Sequence, residues 1–154
     1  MSRIGIIGAM EEEIEILKEE MHIKEIISIA NMDFYVGKLC EHDIVLVRCG
    51  IGKVNAAICA QILIGQLDVT SVINTGVAGA VKDGLEVLDI VISSEVQQHD
   101  FDVTGFGHKI GEIPRMETSI FPADKGLVNK AYESAKEVLL NQKVFMGKIV
   151  SGDV

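Results

Sequence analysis

The chain has 154 residues, enough for one domain with a sizeable core. Its net charge of −9, from 14 basic and 23 acidic residues, excludes the basic surface that nucleic acid or an anionic membrane requires. Hydrophobic content is 48% and mean hydropathy +0.32, yet no apolar run reaches the ~18 residues of a membrane span. The N-terminus lacks the basic region, long apolar core and small-residue cleavage site of a secretory signal. Cys40, Cys49 and Cys59 are odd in number, lack metal-ligand spacing, and read as buried reduced thiols of a cytoplasmic protein.

In chain order, Ile4 to Ile7 is a short apolar run bounded by Gly8, the pattern of a fully buried strand. A helix is predicted to open at about Met10, with Glu11, Glu12 and Glu13 in its first turn, where acids suit the macrodipole. At about 100° per residue, Met10, Ile14, Leu17 and Met21 share the face that packs on the sheet, and Glu11, Glu12, Glu15 and Glu19 point away. Glu13 falls on the flank between. Read from the residues alone, a solvated or snorkelling Glu13 outweighs a functional one, because Glu20 lies on the same flank. Its position at a strand-to-helix turn is nonetheless where open sheets bind ligands.

Glu25 to Ala30, a turn at Asn31–Met32, and Asp33 to Leu39 form a predicted hairpin. Asp43 to Cys49 is nearly all apolar and therefore central, and Gly50 and Gly52 permit a tight turn into a helix from Lys53 to about Leu67. That helix is apolar almost all round, so something beyond its own sheet must cover it, and a second subunit is the expected cover. Val69 to Asn74 is another strand, feeding the small residues Thr75 to Val81, through which a backbone can approach a flat ligand. Leu88 to Val96 is the next strand. The stretch from Val103 to about Pro122 is a long loop, of the length that is either functional or disordered. A helix from Ala123 to about Gln142 and a strand from Val144 to Val150 follow.

Gly5-x-x-Gly8 lacks the three-glycine dinucleotide fingerprint, and the acids after it would repel a pyrophosphate. His99, Asp100 and Asp102 match no metal-ligand spacing, and their structural reading prevails. His22, His42 and His108 read as surface residues. No Gly-x-Ser-x-Gly elbow is present.

Five blocks then occur in order: Ile4 to Glu13, Gly50 to Ala57, Ile73 to Ala80, His99 to Phe106, and Ile149 to Asp153. Together they closely resemble the bacterial 5′-methylthioadenosine/S-adenosylhomocysteine nucleosidases of the nucleoside phosphorylase superfamily. The resemblance implies a three-layer α/β/α domain around a twisted mixed sheet, spanning residues 1–154. It also implies a cofactor-free hydrolase of N-glycosidic bonds that releases adenine, with Glu13 orienting the attacking water. By the same resemblance Met10 and Ile51 lie near the ribose and alkylthio group, Ala78 and Gly79 lie at the purine, and Ala9 and Val77 belong to the substrate-binding set. Ser151 and Asp153 belong to the binding set. Phe106 and Pro114 are lent to the neighbouring site of a homodimer.

Phosphorylases of the superfamily hold phosphate with an arginine in the first loop and another near the second strand end. Here those places are Ala9 to Glu13 and Asn74, and a phosphate-contacting serine is Val77. Water, rather than a dianion, suits three acids. The family's purine-stacking aromatic, its Met-Glu pair for the ribose hydroxyls and its proton-handling aspartate have no counterpart in residues 1–154, so a partial version of the enzyme is expected. Two rivals stand beside this reading. One is a nucleosidase or phosphorylase acting on another nucleoside such as futalosine, and the other a non-catalytic nucleoside-binding fragment.

Overall fold

A computed structural model describes residues 2–139 and 141–154. It divides into two compact units, Met1–Ala78 and Gly79–Val154. Among the described residues eight strands form two mixed sheets, one of five strands and one of three.

The first unit runs β1 (Arg3–Gly8), α1 (Glu11–Glu20), β2 (His22–Ile29), β3 (Met32–Leu39), β4 (His42–Arg48), α2 (Lys53–Gly65) and β5 (Ser71–Asn74). The sheet order is β2-β3-β4-β1-β5, with β1 parallel to both β4 and β5 and the β2-β3-β4 meander antiparallel. Strands β1 and β4, expected to be buried on both faces, are so: Ile6, Ile7 and Ile44 to Val47 are all buried. Helix α1 covers one face, through Ile14 and Met21 against Ile6, Ile44 and Leu46. Helix α2 covers the other, through Cys59, Ile62 and Leu63 against Ile7, Phe34, Val45 and Val47. The three-layer expectation therefore holds within this unit.

Gly5, half of the weak dinucleotide motif, has a packing role. A side chain there would stand 3.1 Å from both Leu63 and Val69, so its absence lets α2 approach β1. The hairpin turn lies one residue earlier than predicted. Ala30 and Asn31 take φ values of 52° and 61°, as a two-residue primed turn demands, and Met32 is already strand and buried. Helix α2 presents Val54, Ile58 and Ile64 outward at 70%, 42% and 58% exposure, so its apolar second face is uncovered among the described residues.

The second unit contains β6 (Ile90–Gln98), a 3₁₀ turn (Thr104–Phe106), β7 (Ile120–Pro122), α3 (Lys125–Val138) and β8 (Val144–Ser151). Strand β6 lies between β7, antiparallel, and β8, parallel. The stretch predicted as one long loop is organised by local hydrogen bonds. Gly111 donates to the Phe101 carbonyl at 2.8 Å, and Ile113 N–H to Ser119 Oγ at 2.8 Å. Helix α3 starts later than expected because Asp124 caps it, accepting from Leu127 N–H at 2.9 Å. Its predicted end near Gln142 runs past Leu140, which lies outside the described residues.

Candidate active site

The parallel order of β4, β1 and β5 brings three strand ends side by side in the first unit. Gly8 is in register with Arg48, Ile7 with Asn74, and Cys49 N–H donates to the Gly8 carbonyl at 2.9 Å. The chain leaves each end through a turn, and Glu13 reaches into the space between two of them.

Glu13 is the third residue of α1 and is half-buried. Its Oε2 accepts from the N–H groups of Ala9 at 2.7 Å and Met10 at 3.2 Å, closing the open donors at the helix start. Met10 at the N-cap makes no side-chain cap bond, and the glutamate at N3 reaches back to its N–H, as the acid of a capping box does. Its Oε1 turns the other way and accepts from Val77 N–H at 3.0 Å, beyond the end of β5. One carboxylate thus ties the turn after β1 to the turn after β5, from the flank position that the helical period assigns it.

Glu11 and Glu12 behave differently. Glu12 is exposed. Glu11 meets Lys18 at 3.1 Å and Arg48 at 3.5 Å, so the acids of the first turn are not uniformly without cations, as the sequence comparison with phosphorylases assumes. Arg48, at the end of β4, escapes that comparison because it lies outside the first loop. Its guanidinium is bound to Glu11 at the surface, 59% exposed.

Burial pushes the Cys49 thiol up, and the nearby Glu13 charge adds to the shift. Cys59, on the buried face of α2, is pushed up to about 12, chiefly by burial. Both are buried as expected, whereas Cys40 is exposed in the turn after β3, where its φ is 50°.

The other candidate residues of this unit sit on its rim. Ile51 is 74% exposed in the turn before α2, and the side chains of Val77 and Ala78 are exposed. Val77 has no side-chain hydroxyl to offer, but its backbone N–H makes a hydrogen bond to Glu13. Gly76 was not singled out by sequence. The small residues after β5 read as room for a flat ligand, yet at Gly76 the room is occupied by the Glu13 carboxylate.

In the second unit, Gly79 has open space around it and Phe106 is 87% exposed in the 3₁₀ turn. That turn is held by Asp102, whose Oδ1 accepts from Thr104 N–H at 2.9 Å, a bond that holds the Asp102 carboxyl below its ordinary range. Pro114 is half-buried beside Ile113. Ser151 and Asp153 are fastened by His99 and Asp100, two of the three residues that the sequence reads as structural. His99 N–H donates to the Ser151 carbonyl at 3.0 Å, and Asp153 N–H to Asp100 Oδ2 at 2.8 Å. A side chain on Gly152 would stand 2.7 Å from the His99 ring carbon Cε1, so the glycine makes room for that ring. His108 is not simply a surface residue: it is half-buried and pairs with Glu112 at 2.7 Å.

The family model described as the phosphorylase superfamily matches residues 3–154. The chain belongs to the phosphorylase superfamily. Among members of that superfamily, it is 45% identical over 150 residues to a 5′-methylthioadenosine/S-adenosylhomocysteine nucleosidase of Staphylococcus aureus, covering 97% of this chain and 64% of the relative. A nucleosidase of the same name from Staphylococcus haemolyticus is also 45% identical, over 153 residues. The chain therefore spans about 64% of the length of these curated relatives.

Solved structures give the same picture of a nucleoside phosphorylase-like α/β fold. The nucleosidase of Neisseria meningitidis in complex with methylthio-immucillin-A superposes with a TM-score of 0.92 at 40% identity, over 100% of this chain and 66% of that one. The Colwellia psychrerythraea nucleosidase in complex with adenine gives 0.93 at 42% identity, over 99% and 63%. Among the described residues no helix of this superfamily member is long and apolar enough to cross a membrane.

Proposed function

We propose that the protein hydrolyses the N-glycosidic bond of 5′-methylthioadenosine and S-adenosylhomocysteine, releasing adenine and the thioribose product, with Glu13 orienting the attacking water. The observation that carries this reading is the fixed Glu13 carboxylate, held by N–H groups from the turns on both sides of it. A base positioned by three backbone donors needs little reorganisation when the transition state arrives, which is the condition for effective general-base and electrostatic catalysis. Cleavage of a nucleoside builds positive charge on the ribosyl ring, and a carboxylate beside the sugar stabilises it. The likeness to relatives named for this activity, including one solved with adenine, supports the same choice of substrate.

Met10 and Ile51 would flank the ribose and alkylthio group, with Ala9 and Val77 beside them and Ala78 and Gly79 at the purine. Ser151 and Asp153 would complete the binding set. The site is proposed to work in a cytoplasmic enzyme of methionine salvage. It would be homodimeric, with Phe106 and Pro114 lent to the neighbouring subunit. Support for the dimer comes from α2, whose exposed Val54, Ile58 and Ile64 form an apolar face opposite the one packed on the sheet. Ile58→Glu should convert a dimer to monomers in sedimentation velocity. A variant that sediments as the unchanged protein does would exclude this face from the interface.

The decisive experiment for the activity is a substrate panel with the whole protein, with and without phosphate. Adenine release at the same rate in both, with free thioribose as the second product, is expected. Phosphate-dependent formation of a sugar 1-phosphate would assign the protein to the phosphorolytic branch instead.

A further inference from the structure

Nothing in the chemistry of Gly76 suggests a part in the reaction, since it has no side chain. Its place does. A β-carbon built on Gly76 would fall 2.7 Å from Glu13 Cδ and 3.0 Å from Oε2, with Oε1 nearer still. All three are inside contact distance, and no rotation of a methyl group relieves them. The carboxylate occupies the space that any other residue at this position would fill.

The backbone does not require glycine here. Five glycines of the chain (Gly50, Gly52, Gly84, Gly107 and Gly111) adopt φ between 78° and 104°, and Gly76 is not among them. Alanine could take this backbone conformation, so what selects against it is the β-carbon alone. The neighbouring N–H that glycine leaves reachable is the one Glu13 uses: Val77 N–H to Oε1 at 3.0 Å. On the far side of the carboxylate Ala9 and Met10 N–H hold Oε2. Movement of the carboxylate away from Gly76 strains its bond to Val77 N–H, the one hydrogen bond that ties it to the turn after β5 among the described residues.

We infer that Gly76 is a positioning residue for Glu13: by lacking a β-carbon it opens the slot in which the carboxylate is pinned between the turns after β1 and β5. The consequence for catalysis rests on the nucleosidase reading above; the contact itself does not. Displacement of a reacting group by about 1 Å costs on the order of 10²-fold in rate. Gly76→Ala should therefore lower kcat by about that factor with little change in KM.

The test is a double-mutant cycle with Glu13→Gln in the whole protein. If Gly76 acts through Glu13, Gly76→Ala removes nothing further once the carboxylate is gone, and the double variant turns over as fast as Glu13→Gln alone. Losses that multiply, or a Gly76→Ala defect confined to KM, would overturn the inference. A second cycle needs no activity. Amide hydrogen exchange at Val77 should accelerate in Gly76→Ala and in Glu13→Ala to the same extent, and no more in the pair. Unchanged exchange in Gly76→Ala also overturns the inference. A protein that shows this exchange pattern yet releases no adenine would count against the proposed function and leave the positioning contact standing. If Gly76→Ala fails to fold, the pair Gly76→Ala with Glu13→Asp draws the carboxylate back by one methylene and should fold. Failure of that pair too would mean that the clash is not with Glu13.

Discussion

Glu13→Gln is expected to lower kcat for adenine release by about 10²–10⁴-fold, the range set by loss of a general base, while KM for the nucleoside stays within a few-fold. The substitution preserves shape and volume but changes the hydrogen-bond inventory. Both carboxylate oxygens accept from backbone N–H groups, two on Oε2 and one on Oε1. A glutamine has one acceptor oxygen and one donor amide. Whichever way it is oriented, its NH₂ faces either the Val77 N–H or the pair at Ala9 and Met10. Leaving a backbone donor without an acceptor costs about 1–3 kcal/mol where the group is fully buried. Glu13 is only half-buried, so the lower end applies. A steady-state assay read beside a thermal melt separates the two effects. A Glu13→Gln protein that melts about as the parent does and turns over as fast would remove Glu13 from the reaction.

How much of this site was legible in the sequence differs from residue to residue. The 3.6-residue period placed Glu13 beside the apolar stripe, and the structure finds it half-buried there, with Ile14 and Met21 buried on the stripe itself. The period says nothing of what lies opposite. The bond to Val77 joins residues 64 apart and depends on β5 adding to the free edge of β1, a pairing that hydrophobicity patterns leave undetermined. Gly76 illustrates the same limit. Sequence marked its surroundings as open, but which group enters the opening follows only from the parallel register of β1 and β5.

In the second unit, β7 pairs through only three residues, Ile120 to Pro122, too short a run for alternation to show. Asp100 is a similar case. Its partner is a backbone N–H of the turn after β8, and side-chain spacing, the signal used to weigh metal binding, is blind to backbone donors. The relatives supply what spacing could not, because the solved structures share the fold that this chain adopts.

The second large effect is expected at the helix that carries Glu13. Ile14 is completely buried and packs with Ile6, Ile44, Leu46 and Met21 between α1 and the sheet. Ile14→Ala should cost about 2–5 kcal/mol, transfer loss plus the cavity left behind. The upper part of that range is expected, because α1 cannot readily settle into the gap. Its first turn is fixed by the bonds from Glu13 to Ala9, Met10 and Val77. Beside it, the Gly8 backbone already lies so close that a β-carbon there would stand 2.5 Å from Ile14 Cγ2. Ile16, two residues on and 68% exposed, makes a matched control, whose replacement by alanine should fall within about 0.5 kcal/mol of no change. Urea unfolding midpoints of the two variants check the contrast. Equal shifts would mean that α1 is not held to the sheet through Ile14, and the same helix face could then no longer be what sets the angle of Glu13 toward the turn after β5.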